Sequence, residues 1–440
     1  MPLKRTLNLF DAILLVVGNV VGAGIFTTSG LLAKELESPI LFIGIWMIGG
    51  ALTLCGALTY AEMSGMFPRS GGDYLFLKAA YGPWAGFLLG WVSFWIINPG
   101  SIAVLSIAVV KYIKGFIDFT DLFNEKIAAL GVILFFTLLN YRGIRLSAKI
   151  QNLCALGSIA FILIMIAGGL ASEKGNWENF NNNELESISF FKLFGSSMIA
   201  VIFSYSGWFV TAYIGDEVKR PEHNLPLSLF IGTMIVMILY TLLNIVYLYA
   251  MPISSLKGVI NVGQLVGERL FNSYFARVVS GVIILAIAAS INATILAGAR
   301  IPYAMAEDRL IWMPLKKVHP IYGTPHIGLL FQMGLAYLFI IFETFERLLS
   351  YVVFIMLLSS IGSGLAHFVL RRRSPFLPRS YKTWGYPFVP LIFVLSYMWI
   401  AGQIVFSNPG TSLLGIAIAL SGIPFYFYAV GRKNNAELTK

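Results

Sequence analysis

The sequence predicts an all-α membrane protein of twelve transmembrane helices, arranged as five helices, an inverted copy of those five, and two C-terminal helices. Three observations carry this. Of the 440 residues, 58% are hydrophobic and 12% are charged, about half the charged share of a soluble domain. Twelve mainly apolar runs approach the 20 or so residues a bilayer-crossing helix needs. The first and sixth of these runs are interrupted at mid-length by small residues that disfavour helix.

The runs fall near 10–34, 39–66, 83–112, 127–141, 150–171, 193–216, 225–251, 273–303, 325–342, 347–370, 387–406 and 411–431. The fourth, Ile127–Tyr141, is short. Within the first run lies Gly18–Phe26, GNVVGAGIF. In lipid every backbone N–H and C=O must be satisfied internally, and Gly costs about 1 kcal/mol against Ala in a helix interior. Gly18, Gly22, Ala23 and Gly24 therefore read either as a break that binds a ligand or as a small-residue packing face. A dinucleotide motif is excluded, because no strand precedes Gly22 and no third glycine completes the pattern.

Connections between the runs set the orientation. With the N-terminus in the cytoplasm, 21 of the 31 Lys and Arg residues fall on the inside, which the positive-inside rule requires. Both termini are then cytoplasmic. The formal charge of +10 does not indicate nucleic acid, since the basic residues sit in short loops rather than along a soluble helix. Cys55 and Cys154 both lie inside apolar runs, so no disulfide framework is implied. No cleavable signal follows Lys4 and Arg5.

The sixth run contains Phe203-Ser204-Tyr205-Ser206-Gly207-Trp208. Runs one and six are five apart and antiparallel in this topology, and paired interrupted helices at corresponding positions point to a transporter binding site. The repeats then cover about 9–171 and 192–371, with the extra helices at about 387–431. A broken helix exposes N–H groups at one end and C=O groups at the other, carrying about half a charge of each sign. An amino acid zwitterion needs both. The amides of Gly22, Ala23 and Gly24 are assigned to its carboxylate, and the carbonyls of Val20, Phe203, Ser204 and Ser206 to its ammonium. Apart from their ends, runs 1, 3, 5, 6 and 8 contain no Asp, Glu, Lys or Arg. That argues for neutral substrates and against a carboxylate proton relay.

Other polar residues suggest weaker sites. Ser363 and His367, four apart, could form a hydrolytic dyad, but no oxyanion-hole cue accompanies them. His319 and His326 lack the Cys or carboxylate company of a metal site. Glu62 reads as an interfacial carboxylate or as a partner of Arg69 or Arg300. Arg371–Arg373 reads as a positive-inside anchor touching membrane lipid.

Five stretches together resemble the amino acid–polyamine–organocation superfamily, and most closely its bacterial L-type amino acid transporters. They are GNVVGAGIF, Phe67–Tyr81 (FPRSGGDYLFLKAAY), Leu139–Asn152 (LNYRGIRLSAKIQN), Asp216–Pro226 (DEVKRPEHNLP), and the AR…AMAED…VHPIYGTP elements of Ala299–Pro325. The resemblance implies a LeuT-type 5+5 inverted repeat with helices 1 and 6 broken, in a bacterial inner membrane. It places substrate contacts on Val20, Gly22, Ala23, Gly24, Phe203, Ser204, Ser206 and Gly207, with Asn98 from helix 3 and Ser290, Asn292 and Ala293 from helix 8.

There are departures. Ala23 stands where many members have Ser or Thr, and Ala293 where some have a bulky gate. Ser158 replaces a helix-5 lysine that substitutes for a coupling cation. Ser158 thus has two readings: a ligand for a sodium ion together with Gly18, Val21 and Ser290, all offering oxygen, or interhelical packing with no ion and no cofactor. The connection Lys111–Lys126 lacks the Cys with which eukaryotic relatives bridge a partner glycoprotein, so no disulfide-linked subunit is expected.

The resulting expectation is secondary transport of neutral L-amino acids by alternating access, through exchange or uncoupled uptake. Sodium- or proton-coupled symport, an amino acid sensor and an intramembrane serine hydrolase are the alternatives.

Overall fold

The computed structural model describes residues 3–22, 24–36, 38–113, 122–181, 190–259, 261–342, 345–407 and 409–438. Among them the regular structure is helical: α1 (Leu9–Val20), α2 (Gly24–Glu35), α3 (Pro39–Met66), α4 (Asp73–Tyr81), α5 (Pro83–Val92), α6 (Asn98–Ile113), α7 (Leu122–Tyr141), α8 (Ile144–Leu170) and α9 (Phe190–Ser204). The chain continues through α10 (Pro221–Ala250), α11 (Ile253–Leu256), α12 (Val262–Leu270), α13 (Ser273–Gly298), α14 (Arg300–Glu307), α15 (His326–Phe342), α16 (Phe345–Arg373), α17 (Phe388–Ser407) and α18 (Pro409–Leu438). Eight stretches of the described residues are long and apolar enough to cross a bilayer. The fourth run is longer than the sequence suggests, because residues 122–126 join it.

Local chemistry sets the ends. Asn8 and Asp11 cap α1 reciprocally, each side chain accepting from the other's backbone N–H at 2.9 Å, which satisfies donors that a helix start leaves open. Between α5 and α6, Ser93–Ile97 widens into a π-helical turn. Pro99, in the first turn of α6, has no N–H to offer to the carbonyl four residues back, and a π-turn absorbs that missing bond.

Helices five positions apart pack together. α3 runs along α10, α6 against α13, and α7 against α15, while α1 lies among α8, α10 and α13. The amphipathic connector α4, which is not among the apolar spans, packs on α5 and α16.

The Lys/Arg-rich end of the bundle is tied by polar contacts. Thr6 and Leu7 donate their N–H groups to the Glu217 carbonyl at 2.9 and 3.0 Å, and Lys219 N–H returns a bond to the Leu7 carbonyl at 2.8 Å. The result is a short parallel bridge between Leu7 and Val218. Ser70 and Asp216 exchange backbone-to-side-chain bonds of 3.0 and 3.1 Å. Arg300 meets Glu217 through two bonds, 2.9 and 2.8 Å, with both side chains fully buried.

Two expectations are corrected here. Glu62 pairs with neither Arg69 nor Arg300. It accepts from Arg371 at 2.9 and 2.6 Å, from Arg379 at 2.9 Å and from the Thr383 N–H at 2.7 Å, and it lies 3.0 Å from His367. Ser363 and His367 form no dyad, because Ser363 donates to Asp73 at 2.8 Å and His367 faces Glu62.

The Arg300–Glu217 pair yields a stability test. Removing one member of a buried pair strands a charge and costs about 3–5 kcal/mol, whereas replacing both by apolar residues is nearly neutral. Thermal melting of the purified protein is expected to show a large loss for Glu217→Ala, and recovery when Glu217→Met is combined with Arg300→Met.

Candidate functional site

Two helices break at the centre of the bundle. α1 ends at Val20, where Val21 is extended with φ −70° and ψ 95°, and α2 begins at Gly24. Ala23 lies outside the described residues. α9 ends at Ser204 and is followed by turns, with Gly207 at φ +95°. Only the first break joins two α-helices. Beyond Gly207 the sixth run continues as short 3₁₀ turns, Val210–Tyr213 and Gly215–Glu217.

The broken ends face each other and complete each other's hydrogen bonding. Asn19 donates its side-chain amide to the Gly207 carbonyl at 2.9 Å. The positive φ brings Gly207 so close to Asn19 that an added Cβ would fall 2.5 Å from that amide nitrogen. Tyr240, fully buried on α10, places its hydroxyl 2.8 Å from the Val20 carbonyl and 3.3 Å from the Ser204 carbonyl. Ser290 on α13 reaches the carbonyls of Gly18 and Asn19 at 3.2 and 3.1 Å. Ser204 Oγ and Thr28 Oγ1 are 2.9 Å apart, joining α9 to α2.

The expected Phe203 carbonyl already accepts from the Ser206 N–H at 3.0 Å, and those of Val20 and Ser204 share the single hydroxyl proton of Tyr240. A carbonyl oxygen has two lone pairs, so each keeps the capacity to accept from a ligand.

The glycines divide between the two roles read from the sequence. Gly18 is a packing residue: an added Cβ would lie 2.6 Å from the Gln151 amide nitrogen and 2.9 Å from the Ala155 Cβ. Gly24 allows α2 to cross α9 closely, since a Cβ there would sit 3.0 Å from the Ser204 Cα. Gly22 has more room, with Ser290 Oγ the nearest atom at 3.3 Å.

Three residues assigned from helices 3, 5 and 8 make their hydrogen bonds to groups outside the two breaks. Asn98 donates to the Ser93 carbonyl at 2.9 Å, within its own π-turn, and packs where Gly298 has no side chain. Asn292 belongs to a buried amide cluster. It accepts from Asn140 and Ser147 at 2.9 and 3.0 Å, and donates to the Gln151 side chain and Ser147 carbonyl at 3.0 and 3.2 Å. Ser158 donates to the Cys154 carbonyl of its own helix at 2.9 Å. Of the four residues offered for a sodium ion, Ser290 places its hydroxyl 3.2 Å from the Gly18 carbonyl. Ala293 is buried on α13.

A cavity of about 340 Å³, counting its open mouth, lies beside the second break. Its wall is formed by Ile202, Phe203, Ser206, Trp208 and Phe209, by Val353, Met356, Leu357 and Ser360 of α16, and by Tyr397 of α17. No described residue of the first break lines it. Among the described residues, no three potential ligands of His, Cys, Asp or Glu type gather into a metal site.

Sequence reading missed Asn19, Thr28 and Tyr240. Asn19 carried a signal, an amide inside an apolar glycine-rich stretch. Tyr240 carried none, because a tyrosine in an apolar run reads as core.

Over residues 7–428 the chain matches the family described as amino acid permease. It is 30% identical over 437 residues to the serine/threonine exchanger SteT of Bacillus subtilis (strain 168), covering 98% of both chains. Large neutral amino acids transporter small subunit 2 of Homo sapiens is 29% identical over 441 residues, covering 97% of this chain and 81% of that one. Asc-type amino acid transporter 1 of Mus musculus is 28% identical over 435 residues, covering 97% and 82%.

The Tyr240 bridge is testable on its own. Tyr240→Phe keeps the ring and leaves two buried carbonyls with one donor fewer, which costs about 1–3 kcal/mol. The purified variant is expected to melt at a clearly lower temperature than the parent, while Tyr249→Phe, which loses a single bond to the Ser172 carbonyl, moves less.

Proposed function

Because the chain belongs to the amino acid permease family, within the amino acid–polyamine–organocation superfamily, we propose that it exchanges neutral L-amino acids across the bacterial cytoplasmic membrane by alternating access. It is a multi-pass transporter and not an enzyme. The observation that carries the reading is the pair of facing breaks, with α1 and α9 ending on opposite sides of the Asn19–Gly207 bond.

Within this reading, backbone amides near Gly22 and Gly24 hold the substrate carboxylate, and the remaining lone pairs on Val20, Phe203 and Ser204 hold its ammonium. Such contacts recognise what all α-amino acids share. Phe203 and Ser206 belong both to the break and to the cavity wall, so the substrate side chain extends into that apolar, aromatic space. The absence of ionised groups from runs 1, 3, 5, 6 and 8 away from their ends supports a neutral side chain.

The fold assigned is twelve spans with both termini cytoplasmic, five helices rocking against their inverted copy. Packing of α3 on α10, α6 on α13 and α7 on α15 supports the repeat, because a two-fold axis brings equivalent helices together. Exchange is favoured over cation coupling by the engagement of Ser158 within its own helix and by the relative named as an exchanger. No sodium ion is invoked.

A thermal-shift screen against the twenty amino acids reads binding directly, since a ligand specific for the folded form raises the melting temperature. Neutral amino acids are expected to shift it and charged ones not. Gly22→Ala is the discriminating variant. Its Cβ meets only the Ser290 hydroxyl closely, at 3.3 Å, and a small shift of that side chain retains the fold; it crowds the amides, and the apparent affinity is expected to fall tenfold or more, about 1.4 kcal/mol. Unchanged affinity in Gly22→Ala would remove the first break from the site. In proteoliposomes, uptake is expected to require internal amino acid and to ignore an imposed sodium gradient.

A further inference from the structure

The loop that joins the second and third spans carries a buried carboxylate that the transport reading does not use. Asp73 is the first residue of α4 and is only 2% exposed. Its carboxylate accepts from the Tyr213 hydroxyl at 2.7 Å and from the Ser363 hydroxyl at 2.8 Å. The hydroxyl of Tyr60, fully buried on α3, faces the same carboxylate without meeting hydrogen-bond geometry to any group. Among the described residues no Lys, Arg or His pairs with Asp73.

Every neighbouring charge is engaged elsewhere. On α4, Tyr74 and Lys78 both bind Asp308. On α16, His367 and Arg371 face Glu62, as does Arg379 in the connection that follows. On α3, Glu62 is held by that group. In the adjoining loops Asp216 is bonded to Ser70, Glu217 to Arg300, and Arg69 to Glu307. α5 has no ionisable side chain. Asp73 therefore accepts from hydroxyls of two other elements, faces that of a third, and among the described residues meets no cation.

We infer that Asp73 is a proton-binding site whose occupancy is linked to closure of the Lys/Arg-rich end of the transporter. The four groups that meet there belong to α3, α4, the end of the sixth run and α16, which must separate if that end opens. This inference rests on the alternating-access reading for its consequence, but not for the protonation itself.

The chemistry is a balance. An unpaired carboxylate removed from water is costly, and burial pushes the Asp73 carboxyl above the ordinary carboxylate range, while the hydroxyls of Tyr60, Tyr213 and Ser363 pull the other way. The start of α4 also favours the ionised form. In the closed arrangement the carboxyl keeps its proton to higher pH than it would in water. Opening admits water and returns the group toward its ordinary range, so the closed form binds more protons than the open one. By linkage, acid stabilises closure, and that advantage is lost as pH rises through the raised value.

Infrared spectroscopy of the membrane-reconstituted protein tests the site without any need for transport. Between about pH 4 and pH 8, a range reaching well above the ordinary carboxylate value, the parent is expected to show a protonated-carboxyl band that titrates away and is missing from Asp73→Asn. Tyr213→Phe and Ser363→Ala each remove a donor to the ionised form. Each is expected to move the midpoint upward by about one pH unit, a tenfold gain in proton affinity. These variants keep the test valid should Asp73→Asn fail to fold. Identical spectra for parent and Asp73→Asn would overturn the site, as would a midpoint that neither hydroxyl variant moves.

The linkage is read separately, by exchange of radiolabelled L-serine and L-leucine in oriented proteoliposomes. Acidifying the compartment at the Lys/Arg-rich end is expected to slow the parent several-fold and to leave the pH profile of Asp73→Asn flat. A titrating band with a pH-independent parent would overturn the link to closure. Lack of exchange with any amino acid, beside a titrating band, would count against the transport reading and leave the proton site standing.

Discussion

A backbone that leaves the helix inside a bilayer must find its hydrogen bonds elsewhere, and here each break finds them at the other. An unsatisfied peptide group in hydrocarbon costs several kcal/mol, far more than the tenths of a kcal/mol by which residues differ in helix propensity. Asn19, Tyr240 and Ser290 supply donors to the carbonyls of Gly18, Asn19, Val20, Ser204 and Gly207. These three side chains make the irregular backbone tolerable. They also make the two breaks one mechanical unit, since Asn19 and Tyr240 each join α1 to the end of α9. A shift of either helix end must stretch a bond to the other or break it.

Charge is distributed in the opposite way. The breaks are neutral, and the ionic groups gather at the Lys/Arg-rich end. A buried ion pair is a poor source of stability unless its remaining lone pairs and protons are engaged, and here they are. Arg300 adds a bond to the Leu296 carbonyl, while the backbone of Glu217 receives Thr6 and Leu7. Glu62 is saturated by two arginines, a histidine and a backbone amide. Ties of this kind are specific in geometry and weak in net energy. That combination suits an end of the molecule that holds one arrangement firmly yet can exchange it for another.

The sequence made the breaks legible because glycine and serine clusters contradict the helix around them, and such a contradiction survives without any knowledge of packing. The direction in which a polar side chain turns did not survive. Asn292 and Ser290 lie two residues apart on α13, so they face different neighbours: Ser290 meets α1, and Asn292 meets α7 and α8. Nothing in the local sequence says which face meets which helix. The Ser363–His367 spacing failed for the same reason. Residues four apart share a helix face, but Asp73 and Glu62, from α4 and α3, supply better acceptors than either has for the other. The 3₁₀ character beyond Gly207 was also hidden, since the residues from Val210 to Tyr213 form an unremarkable apolar helix on paper. It arises where the chain must reach both Asp73 and the Leu7 bridge.

The cavity, the second break and the buried carboxylate are joined by one aromatic wall. Trp208 lines the cavity and packs on Tyr60 with ring centroids 4.8 Å apart, and Tyr60 faces Asp73. Ser360 lines the cavity one turn before Ser363, which binds the same carboxylate. Interiors are close-packed and transmit displacement rather than absorbing it. A side chain entering the cavity presses on Trp208 and α16, and the first polar cluster beyond them is the one that ties α4 to the end of the sixth run. Occupancy of the cavity and closure of the Lys/Arg-rich end therefore share a set of contacts. In the proposed cycle, substrate and proton act on one junction from its two sides.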